Sequence, residues 1–498
     1  MSPNRPDVRT MIGIVLDPGT WRSWDAPPAE PAEHGSDYAE ELAAARARSG
    51  YDESVVTGEG LLDGRRVAVV ACEFSFLAGS IGVAAAERLT AAVERATAER
   101  LPLLAAPASG GTRMQEGALA FTQMVKITAA VAAHRAAGLP YIVYLRHPTT
   151  GGVFASWGSL GHVTAAEPGA LIGFLGPRVF ESLHGYPFPE GVQVAENLFA
   201  HGLIDAVVSA EDVRKVAIGV LAVLCAPREV RVKEPEADER VQPVEAWDSV
   251  IRSRRDDRPG VRALLRHGAS DVTPLNGTGE GENDPGLLIA LARFGEAPAV
   301  VLGQDRERGR SGAQLGPAGL RVARRGMRLA SELGLPLVTV VDTSGAALSK
   351  AAEEGGLAAE IARSLADLVT LDAPTVCLLL GEGAGGAALS LLPADRVLCA
   401  QHAWLSPLPP EGASALLYRS VDFAPEIAAA QGVKSTDLRR DGIVDRVIPE
   451  LPDAAYEPEA FCRRLSAALE HEIAGLLAAP PADRLTARLA RYRRLGTH

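Results

Sequence analysis

The chain has 498 residues and a formal net charge of −12 at pH 7, with 47% hydrophobic and 22% charged residues. This composition is ordinary for a soluble globular protein and excludes a chain that is disordered throughout. The length predicts two or three domains, and the acidic balance argues against nucleic acid as a partner, because phosphate binding needs clustered lysine and arginine.

An N-terminal extension is predicted over residues 1–55, with a Pro/Glu-rich patch over 26–35 and a helix over 38–48. From residue 56 to 225, short β-branched or Leu-rich runs alternate with Ala-rich helical stretches. This alternation predicts β-α units and a first α/β domain. The strands predicted there are 66–70, 101–105 and 141–145, and the helices are 80–99 and 116–137.

Residues 226–285 differ in composition and predict a bridge with one helix, over 246–255. The stretch 228–243 is rich in charge, and 252–258 carries four arginines. Because Asp256 and Asp257 are interleaved with those arginines, a solvent-exposed helix end is favoured over a nucleic-acid patch.

The alternation resumes over residues 286–460, which predicts a second α/β domain, and residues 461–498 predict a peripheral C-terminal helix. The fold class is therefore α/β, with two domains in one chain. The strands predicted in the second domain are 299–302, 336–341 and 375–380, and the helices are 318–333 and 353–371.

The five cysteines lie far apart and form no C-x-x-C pair; they are Cys72, Cys225, Cys377, Cys399 and Cys462. This spacing predicts buried thiols in a reducing compartment and no metal in this chain, rather than a zinc ribbon or a disulfide scaffold. No window approaches the roughly 18 uninterrupted apolar residues of a spanning helix. We therefore expect a cytoplasmic protein that has no membrane partner.

The two halves of the sequence share one pattern, a strand followed by a pair of glycines. Pro140 opens a strand and Gly151-Gly152 follow 11 and 12 positions later, while Pro374 opens a strand and Gly385-Gly386 follow at the same offsets. We interpret this as a duplicated strand-turn-helix unit. A glycine turn there places backbone N–H groups at a helix N-terminus, where they can stabilise an oxyanion. Two matching pairs favour this role over the alternative that glycine merely permits a tight turn.

Other chemistries fit the glycine-rich stretches less well. Residues 381–386 match G-x-G-x-x-G, the pattern of a dinucleotide-binding turn. Such a site also needs an acidic residue about 20 positions later, and residues 401–410 contain no Asp or Glu. No G-x-S-x-G or H-E-x-x-H motif indicates a hydrolase or a zinc site. A third glycine site, 108–117, leads into a helix, and its Arg113 and Glu116 could simply pair at i,i+3.

At these residues the sequence resembles the carboxyltransferase of acetyl-CoA carboxylase, with β-subunit motifs followed by α-subunit motifs in one chain. The resemblance covers roughly residues 11–450. It implies two crotonase-like ββα-spiral domains in tandem. The β-like motifs are Ser109–Gly117, Pro148–Val153, Ala166–Pro168 and Ile172–Arg178, and the α-like motifs are Gly303-Gln304, Val341–Thr343, Gly381–Gly383, Pro410–Ser414 and Asp441–Asp445.

The resemblance implies transfer of a carboxyl group from N1′ of carboxybiotin to the α-carbon of an acyl-CoA. Both intermediates are enolates, one on the biotin ureido oxygen and one on the thioester oxygen, and each needs a backbone oxyanion hole. Biotin N1′ can itself take the α-proton, so no side-chain base is required. We predict the oxyanion holes at Gly151, Gly152, Gly386 and Ala387, and substrate binding by Ser109, Gly110, Gly111, Arg113, Gly173, Gly176, Gly345 and Ala346.

Three departures from the family pattern stand out. The four-cysteine zinc ribbon that often begins the β subunit is missing. His147 stands where an aspartate is usual, which adds possible positive charge beside the first turn. Residues 343–349 lack two prolines of the α pattern, which loosens a loop near the CoA site that the resemblance implies.

We expect a carboxyltransferase that makes malonyl-CoA from acetyl-CoA, for fatty-acid or polyketide precursor supply. Its cofactor is carboxybiotin carried on a separate protein, and a coenzyme A thioester is the substrate. The expected partners are biotin carboxylase and biotin carboxyl carrier protein, because this chain has no Met-Lys-Met-like attachment motif and no ATP-grasp pattern. A malonyl-type decarboxylase and a non-catalytic CoA-binding scaffold remain alternatives. Since the separate subunits of the family form α2β2, we expect a homodimer, with a hexamer as the alternative.

Overall fold

The computed structural model describes residues 6–29, 36–230 and 241–496. Part of the predicted Pro/Glu-rich patch and part of the charged bridge stretch lie outside the described residues, as do the last two residues of the predicted C-terminal helix. The chain divides into two compact units. Unit 1 comprises Met1–Leu221 and Gly279–Gly281, and unit 2 comprises Ala222–Thr278 and Glu282–His498.

Unit 1 alternates strands and helices along most of its length. Its strands are β1 Arg22–Ser23, β2 Val55–Leu62, β3 Arg65–Cys72, β4 Leu103–Ala106, β5 Tyr141–Leu145, β6 Thr149–Thr150, β7 Val163–Ala166, β8 Ile172–Gly173 and β9 Ala206–Val207. Its helices are α1 Val8–Val15, α2 Asp37–Ser49, α3 Val83–Ala98, α4 Gly117–Ala136, α5 Gly151–Phe154, α6 Pro177–His184, α7 Ala195–Ala200 and α8 Ala210–Leu224, the last of which runs into unit 2.

Unit 2 continues the same alternation. Its strands are β10 Ser270–Leu275, β11 Leu287–Phe294, β12 Ala297–Gln304, β13 Leu337–Thr343, β14 Thr375–Gly383, β15 Arg396–Ala400 and β16 Arg446–Ile448. Its helices are α9 Ala246–Ser253, α10 Val261–Gly268, α11 Arg306–Arg310, α12 Pro317–Leu333, α13 Lys350–Glu354, α14 Leu357–Val369, α15 Gly385–Leu389, α16 Pro410–Tyr418, α17 Ala424–Ala430, α18 Ser435–Arg440, α19 Pro458–Ala478 and α20 Pro481–Arg494.

The two units share one sheet topology. In unit 1 the order is β1-β2-β3-β4-β5-β7-β9, and in unit 2 it is β10-β11-β12-β13-β14-β15-β16. In both sheets the first two pairings are antiparallel and the other four are parallel. The central parallel strands are buried over nearly their whole length, which fits their runs of Val, Leu and Ala. The repeat inferred from the glycine pairs therefore extends to the whole sheet.

The segment predicted as a bridge with one helix contains more structure. Its described residues form α9, α10 and β10, and β10 pairs with β11 at the edge of the second sheet. The prediction of a solvent-exposed arginine cluster fails at Arg258, although Arg254 and Arg255 are partly exposed. Arg258 is fully buried and donates to both carboxylate oxygens of Glu450, at 2.5 and 2.7 Å. A buried guanidinium needs such a partner, and a carboxylate 192 positions away cannot be read from local spacing.

The C-terminal stretch predicted as one helix forms two, α19 and α20, which are separated at Pro480. Proline removes a backbone donor and cannot continue the helix that precedes it. Both helices bury part of their surface: Phe461, Leu465 and Leu469 of α19 are inside, as is Arg488 of α20.

The core of unit 1 lies between the sheet and helices α3 and α4, with Trp157 and Tyr141 among its largest buried side chains. Four of the five cysteines are buried and Cys225 is partly buried, all as free thiols. Among the described residues, no helix has the length and apolarity needed to cross a membrane, and no three His, Cys, Asp or Glu side chains are placed to hold a metal ion.

Candidate functional site

In unit 1, two loops meet at the carboxyl ends of the neighbouring parallel strands β4 and β5. Ser109 follows β4, and its N–H donates to the carbonyl of Pro148 at 2.6 Å. The carbonyl of Ser109 in turn accepts the N–H of Thr150 at 2.9 Å. The carboxyl end of parallel strands is where α/β proteins bind ligands. The structure thus brings the predicted Ser109–Gly111 loop and the predicted Gly151-Gly152 turn together.

The glycines of these two loops are in close contact. Gly111 has a φ of +111° and Gly151 a φ of +63°, both in the region that favours glycine. A Cβ on Gly111 would lie 3.4 Å from the Cα of Gly151, and one on Gly151 would lie 3.2 Å from the Cα of Gly111. Glycine is therefore required here both for the turn and for the approach of the two backbones. The adjacent Gly110 anchors its loop by donating its N–H to Ala78 at 2.9 Å.

The two glycines of the first turn differ in their N–H groups. Gly151 donates its N–H to the carbonyl of Phe174 at 2.9 Å, so the prediction that it is a free donor does not hold in this structure. Gly152 lies in the first turn of α5, where the helix supplies no acceptor for an N–H group. A Cβ on Gly152 would lie 3.0 Å from Oγ1 of Thr112 and 3.2 Å from Cγ of Met124.

Gly173 and Gly176 lie on the segment that covers this turn. Gly173 pairs with Thr150 in the short parallel sheet of β6 and β8. A Cβ on Gly173 would lie 2.4 Å from Nε2 of Gln193, so a larger residue here would require the Gln193 side chain to shift. Gly176 immediately precedes α6 and lies two residues beyond Phe174, whose carbonyl holds Gly151.

The guanidinium of Arg113, a predicted substrate-binding group, is buried among protein groups. Its Nη1 lies 2.6 Å from Oε1 of Glu53, and its Nη2 donates to the carbonyl of Ser80 at 2.8 Å. Burial raises the pKa of Glu53, and the positive charge of Arg113 opposes that shift. The expected pairing of Arg113 with Glu116 is present at 3.5 Å, while Glu116 also accepts the N–H of Val83 at 2.5 Å. Arg113 therefore fixes the loop that carries Gly111.

Unit 2 repeats two backbone hydrogen bonds of the unit 1 turn. The N–H of Ala384 donates to the carbonyl of Thr343 at 3.1 Å, and the N–H of Gly385 donates to the carbonyl of Ser406 at 3.0 Å. Gly385 has a φ of +65°. Gly385-Gly386 is therefore the structural equivalent of Gly151-Gly152, with the first glycine again bonded to a carbonyl.

The loops after β4 and β13 are equivalent as well. Ser109 Oγ accepts the N–H of Gly111 at 3.0 Å, and Thr343 Oγ1 accepts the N–H of Gly345 at 3.1 Å. Gly345 has a φ of +137° and Ala346 beside it is partly buried. The structure thus connects the predicted Gly345 through Thr343 to the second glycine turn.

Gly386 and Ala387, the predicted second pair, occupy the first turn of α15 after Gly385. Their N–H groups have no acceptor within the helix, as for Gly152 in unit 1. The side chain of Gln304, a residue that we did not predict as a site residue, holds this turn and joins it to the backbone of Asp342. Gln304 Nε2 donates to the carbonyl of Ala387 at 2.7 Å, and Gln304 Oε1 accepts the N–H of Asp342 at 3.0 Å. Both residues lie in motifs noted above, but only the fold shows this connection.

Sequence comparisons identify relatives along nearly the full chain. The carboxyl transferase domain family matches residues 8–484. A Mycobacterium tuberculosis protein named "Probable biotin-dependent acyl-coenzyme A carboxylase beta3 subunit" is 63% identical over 483 residues, 97% of each chain. A Salinispora arenicola protein named "Acetyl-coenzyme A carboxylase carboxyl transferase subunits beta/alpha" is 38% identical over 517 residues, 99% of this chain and 91% of that relative.

Comparison with solved structures establishes the fold. Transcarboxylase 12S superposes with a TM-score of 0.72 at 21% identity, covering 95% of this chain and 90% of that one. A single-chain long-chain acyl-CoA carboxylase superposes with a TM-score of 0.71 at 19% identity, covering 93% of this chain and 45% of that one. The predicted fold, two crotonase-like domains in tandem, is confirmed.

Proposed function

The chain belongs to the carboxyl transferase family, and from this premise we propose that it is the carboxyltransferase component of a biotin-dependent acyl-CoA carboxylase. It receives the carboxyl group from carboxybiotin on a separate carrier protein and places it on the α-carbon of a CoA thioester. We propose acetyl-CoA as the acceptor and malonyl-CoA as the product. Unit 1 corresponds to the β-like half and unit 2 to the α-like half. The biotin carboxylase and the carrier protein are the proposed partners, and the free cysteine thiols support a cytoplasmic location.

The duplicated glycine turn is the observation that carries this proposal. Gly152 in unit 1 and Gly386 in unit 2 each follow a glycine whose N–H is bonded to a carbonyl, and each lies in the first turn of a short helix. Fixed backbone donors of this kind stabilise a developing oxyanion without a side chain. Two such turns match the two negatively charged oxygens that the reaction requires, one on each substrate.

The side chains beside the turns keep these donors in place. Gln304 braces the second turn against the backbone of Asp342, and Arg113 fixes the Gly111 loop against the first. Carboxybiotin, when bound, supplies both the carboxyl group and the basic nitrogen that takes the α-proton. The task of this chain is then to orient the two substrates and hold their charged oxygens.

The decisive experiment supplies a carboxylated biotin carrier and either acetyl-, propionyl- or a long-chain acyl-CoA to the purified chain. We expect carboxylated product, with acetyl-CoA the best acceptor. A better acceptor among the others would correct the substrate. Consumption of malonyl-CoA with release of CO2, without carboxylation of any acceptor, would assign a decarboxylase. Absence of both reactions while CoA thioesters still bind would leave a CoA-binding scaffold.

Exposed apolar side chains support assembly of the chain into an oligomer. In unit 1, Phe121 and Val125 of α4 are 66% and 72% exposed, on the helix whose Met124 packs against Gly152. In unit 2, Leu416 and Leu417 of α16 are 74% and 62% exposed. Clusters of this kind mark protein interfaces. We propose that a second copy covers them in a homodimer, with a hexamer as the alternative, and light scattering on the purified chain measures which forms.

A further inference from the structure

Arg254, at the end of α9, contacts two chain segments that are far apart in sequence. Its Nε lies 2.9 Å from Oε2 of Glu382, and its Nη2 lies 3.0 Å from Oε2 of Glu411, which Nη1 also contacts. Glu382 belongs to the end of β14, just before the second glycine turn, and Glu411 belongs to the first turn of α16. One guanidinium thus joins β14 to α16 through two carboxylates.

The same two segments form the second glycine turn. The N–H of Gly385 donates to the carbonyl of Ser406 at 3.0 Å, and the N–H of Ser406 donates to the carbonyl of Gly383 at 2.9 Å. These are backbone contacts between the end of β14 and the loop that leads into α16. The end of β14 and the segment that leads into α16 are therefore joined twice, by backbone hydrogen bonds at the turn and by the side chain of Arg254.

The position of Arg254 is itself fixed. Its guanidinium lies 5.8 Å from the centre of the Trp404 ring, and the indole Nε1 of Trp404 donates to Ser253 Oγ at 2.9 Å. The side chain of Arg254 is 29% exposed, and that of Glu382 is 15% exposed. The hydrogen bond from Arg254 lowers the pKa of Glu411, so both charges of that pair are present at neutral pH.

We propose that Arg254 is a positioning residue for the second glycine turn. By holding Glu382 and Glu411 it keeps β14 and α16 in register, and so sets the direction of the Gly386 and Ala387 N–H groups. Its catalytic consequence rests on the proposed function. A misplacement of about 1 Å can cost on the order of 100-fold in rate, so loss of the clamp acts on turnover more than on folding.

The first test compares Arg254→Gln with Arg255→Gln. Arg255 is a matched control, because it is 30% exposed and its side chain pairs with Asp257 and Tyr456, not with either segment of the turn. We expect Arg254→Gln to lower kcat about 10- to 100-fold with little change in melting temperature, and Arg255→Gln to stay within about twofold of the original chain. Arg254→Lys should fall between, since a lysine cannot span both carboxylates with a fixed fork. Equal activity of both glutamine variants would overturn the proposal.

A double-mutant cycle shows whether Arg254 acts through this turn. Gly386→Ala requires only the flexible end of Ile361 to shift, and Gly152→Ala is the corresponding change in unit 1. Residues that act through one contact give non-additive effects, and independent ones add. We expect Arg254→Gln to be non-additive in kcat with Gly386→Ala and additive with Gly152→Ala. Additivity with both would overturn the assignment.

Amide hydrogen exchange separates this inference from the proposed function. If the unmodified chain carboxylates no acyl-CoA, the proposed function fails, but the clamp is still tested. We expect Arg254→Gln to speed exchange over residues 384–390 and 406–412, and to leave residues 109–117 unchanged. Unchanged exchange over the first two segments would contradict a clamp whatever the activity of the chain.

Discussion

Each glycine turn gives different roles to its two glycines. Gly151 and Gly385 have positive φ and donate their N–H groups to the carbonyls of Phe174 and Ser406. They shape the turn. The next residue, Gly152 or Gly386, lies in the first turn of the helix and has an N–H without a helical acceptor. The second glycine therefore needs no unusual backbone conformation, and a Cβ there would meet Thr112 and Met124 in unit 1 or Ile361 in unit 2.

Valine at the second glycine should reduce turnover far more than acyl-CoA affinity. For Gly152→Val and Gly386→Val we expect kcat to fall about 100- to 1000-fold, the usual cost of losing one oxyanion donor. Steady-state kinetics of each variant measure the loss of turnover, and acyl-CoA binding measures any loss of affinity. Gly475→Val is the control, because a Cβ on that helical glycine meets nothing within 4 Å. Near-original turnover in folded Gly152→Val and Gly386→Val would show that the turns are only structural.

Buried His134 makes the stability of unit 1 depend on pH. Burial lowers the pKa of His134 to about 4, from 6.5 for an exposed imidazole. The folded state therefore keeps the ring neutral while the unfolded chain protonates it. The stability from this residue is complete above pH 6.5 and is lost progressively as the pH falls from 6.5 towards 4.

We expect His134→Gln to flatten the fall in melting temperature between pH 7.5 and about 5.5. Protonation of the histidine can no longer favour the unfolded chain in that variant. Thermal unfolding across the pH range measures the slope. His201→Gln, at an exposed position, should keep the slope of the original chain. An unchanged slope in His134→Gln would mean that other groups dominate this window.

At the scale of the element, helix α20 is attached to unit 2 by a buried arginine. Arg488 donates to both oxygens of Asp395, at 2.8 and 2.7 Å, and to the carbonyls of Leu371 and Ala373, at 2.6 and 3.0 Å. Asp395 also accepts the N–H of Thr375 at 2.8 Å, so it connects β14 to the start of β15. The C-terminal helix is thereby linked to β14 and β15, the parallel strands before and after the second turn.

Arg488→Ala should destabilise unit 2 strongly. It leaves the Asp395 carboxylate without its charge partner, and breaking a buried pair from one side costs about 3–5 kcal/mol. Urea unfolding followed by hydrogen exchange of the β14 amides measures the loss. Arg493→Ala changes an exposed arginine on the same helix and should cost within about 0.5 kcal/mol. A similar small cost for Arg488→Ala would show that α20 is only peripheral.

At the scale of the molecule, the chain contains two copies of one sheet topology, and each copy carries one glycine turn that we propose as an oxyanion hole. The repeat is also visible at Asp205 and Asp445, whose carboxylates accept the N–H groups of Thr164 and Val397 in the neighbouring strand. A proposed reaction with two charged oxygens needs both turns. Whether one chain or two chains supply them to a given site is a question of assembly.

We expect chains with Gly152→Val and chains with Gly386→Val to restore activity when they are co-expressed. If sites are shared in a homodimer, each mixed dimer has one site with both changes and one site with neither. Roughly half of randomly assembled dimers are mixed, so activity should approach roughly one quarter of the original. The activity of purified mixed dimers measures this. No recovery would place both turns of a site in one chain.

The sequence by itself determined the α/β class, the two-domain repeat, the family and the loops that the structure brings together around each turn. Those features are local: strand and helix periodicity, glycine pairs and contiguous motifs act over a few residues. The glycines at positions 151, 345 and 385 are a local feature of this kind. Each has a positive φ, which glycine adopts most readily.

Only the tertiary structure decided which guanidinium and N–H groups already have a partner within the protein. Arg113 pairs with Glu53, Arg258 with Glu450 and Arg254 with Glu382, across 60, 192 and 128 positions. The N–H of Gly151 is likewise donated to the carbonyl of Phe174, 23 positions away, just after β8. A guanidinium or an N–H group takes the partner that the folded chain places beside it. Desolvation makes that pairing obligatory once the group is buried, whatever the distance between the partners along the sequence.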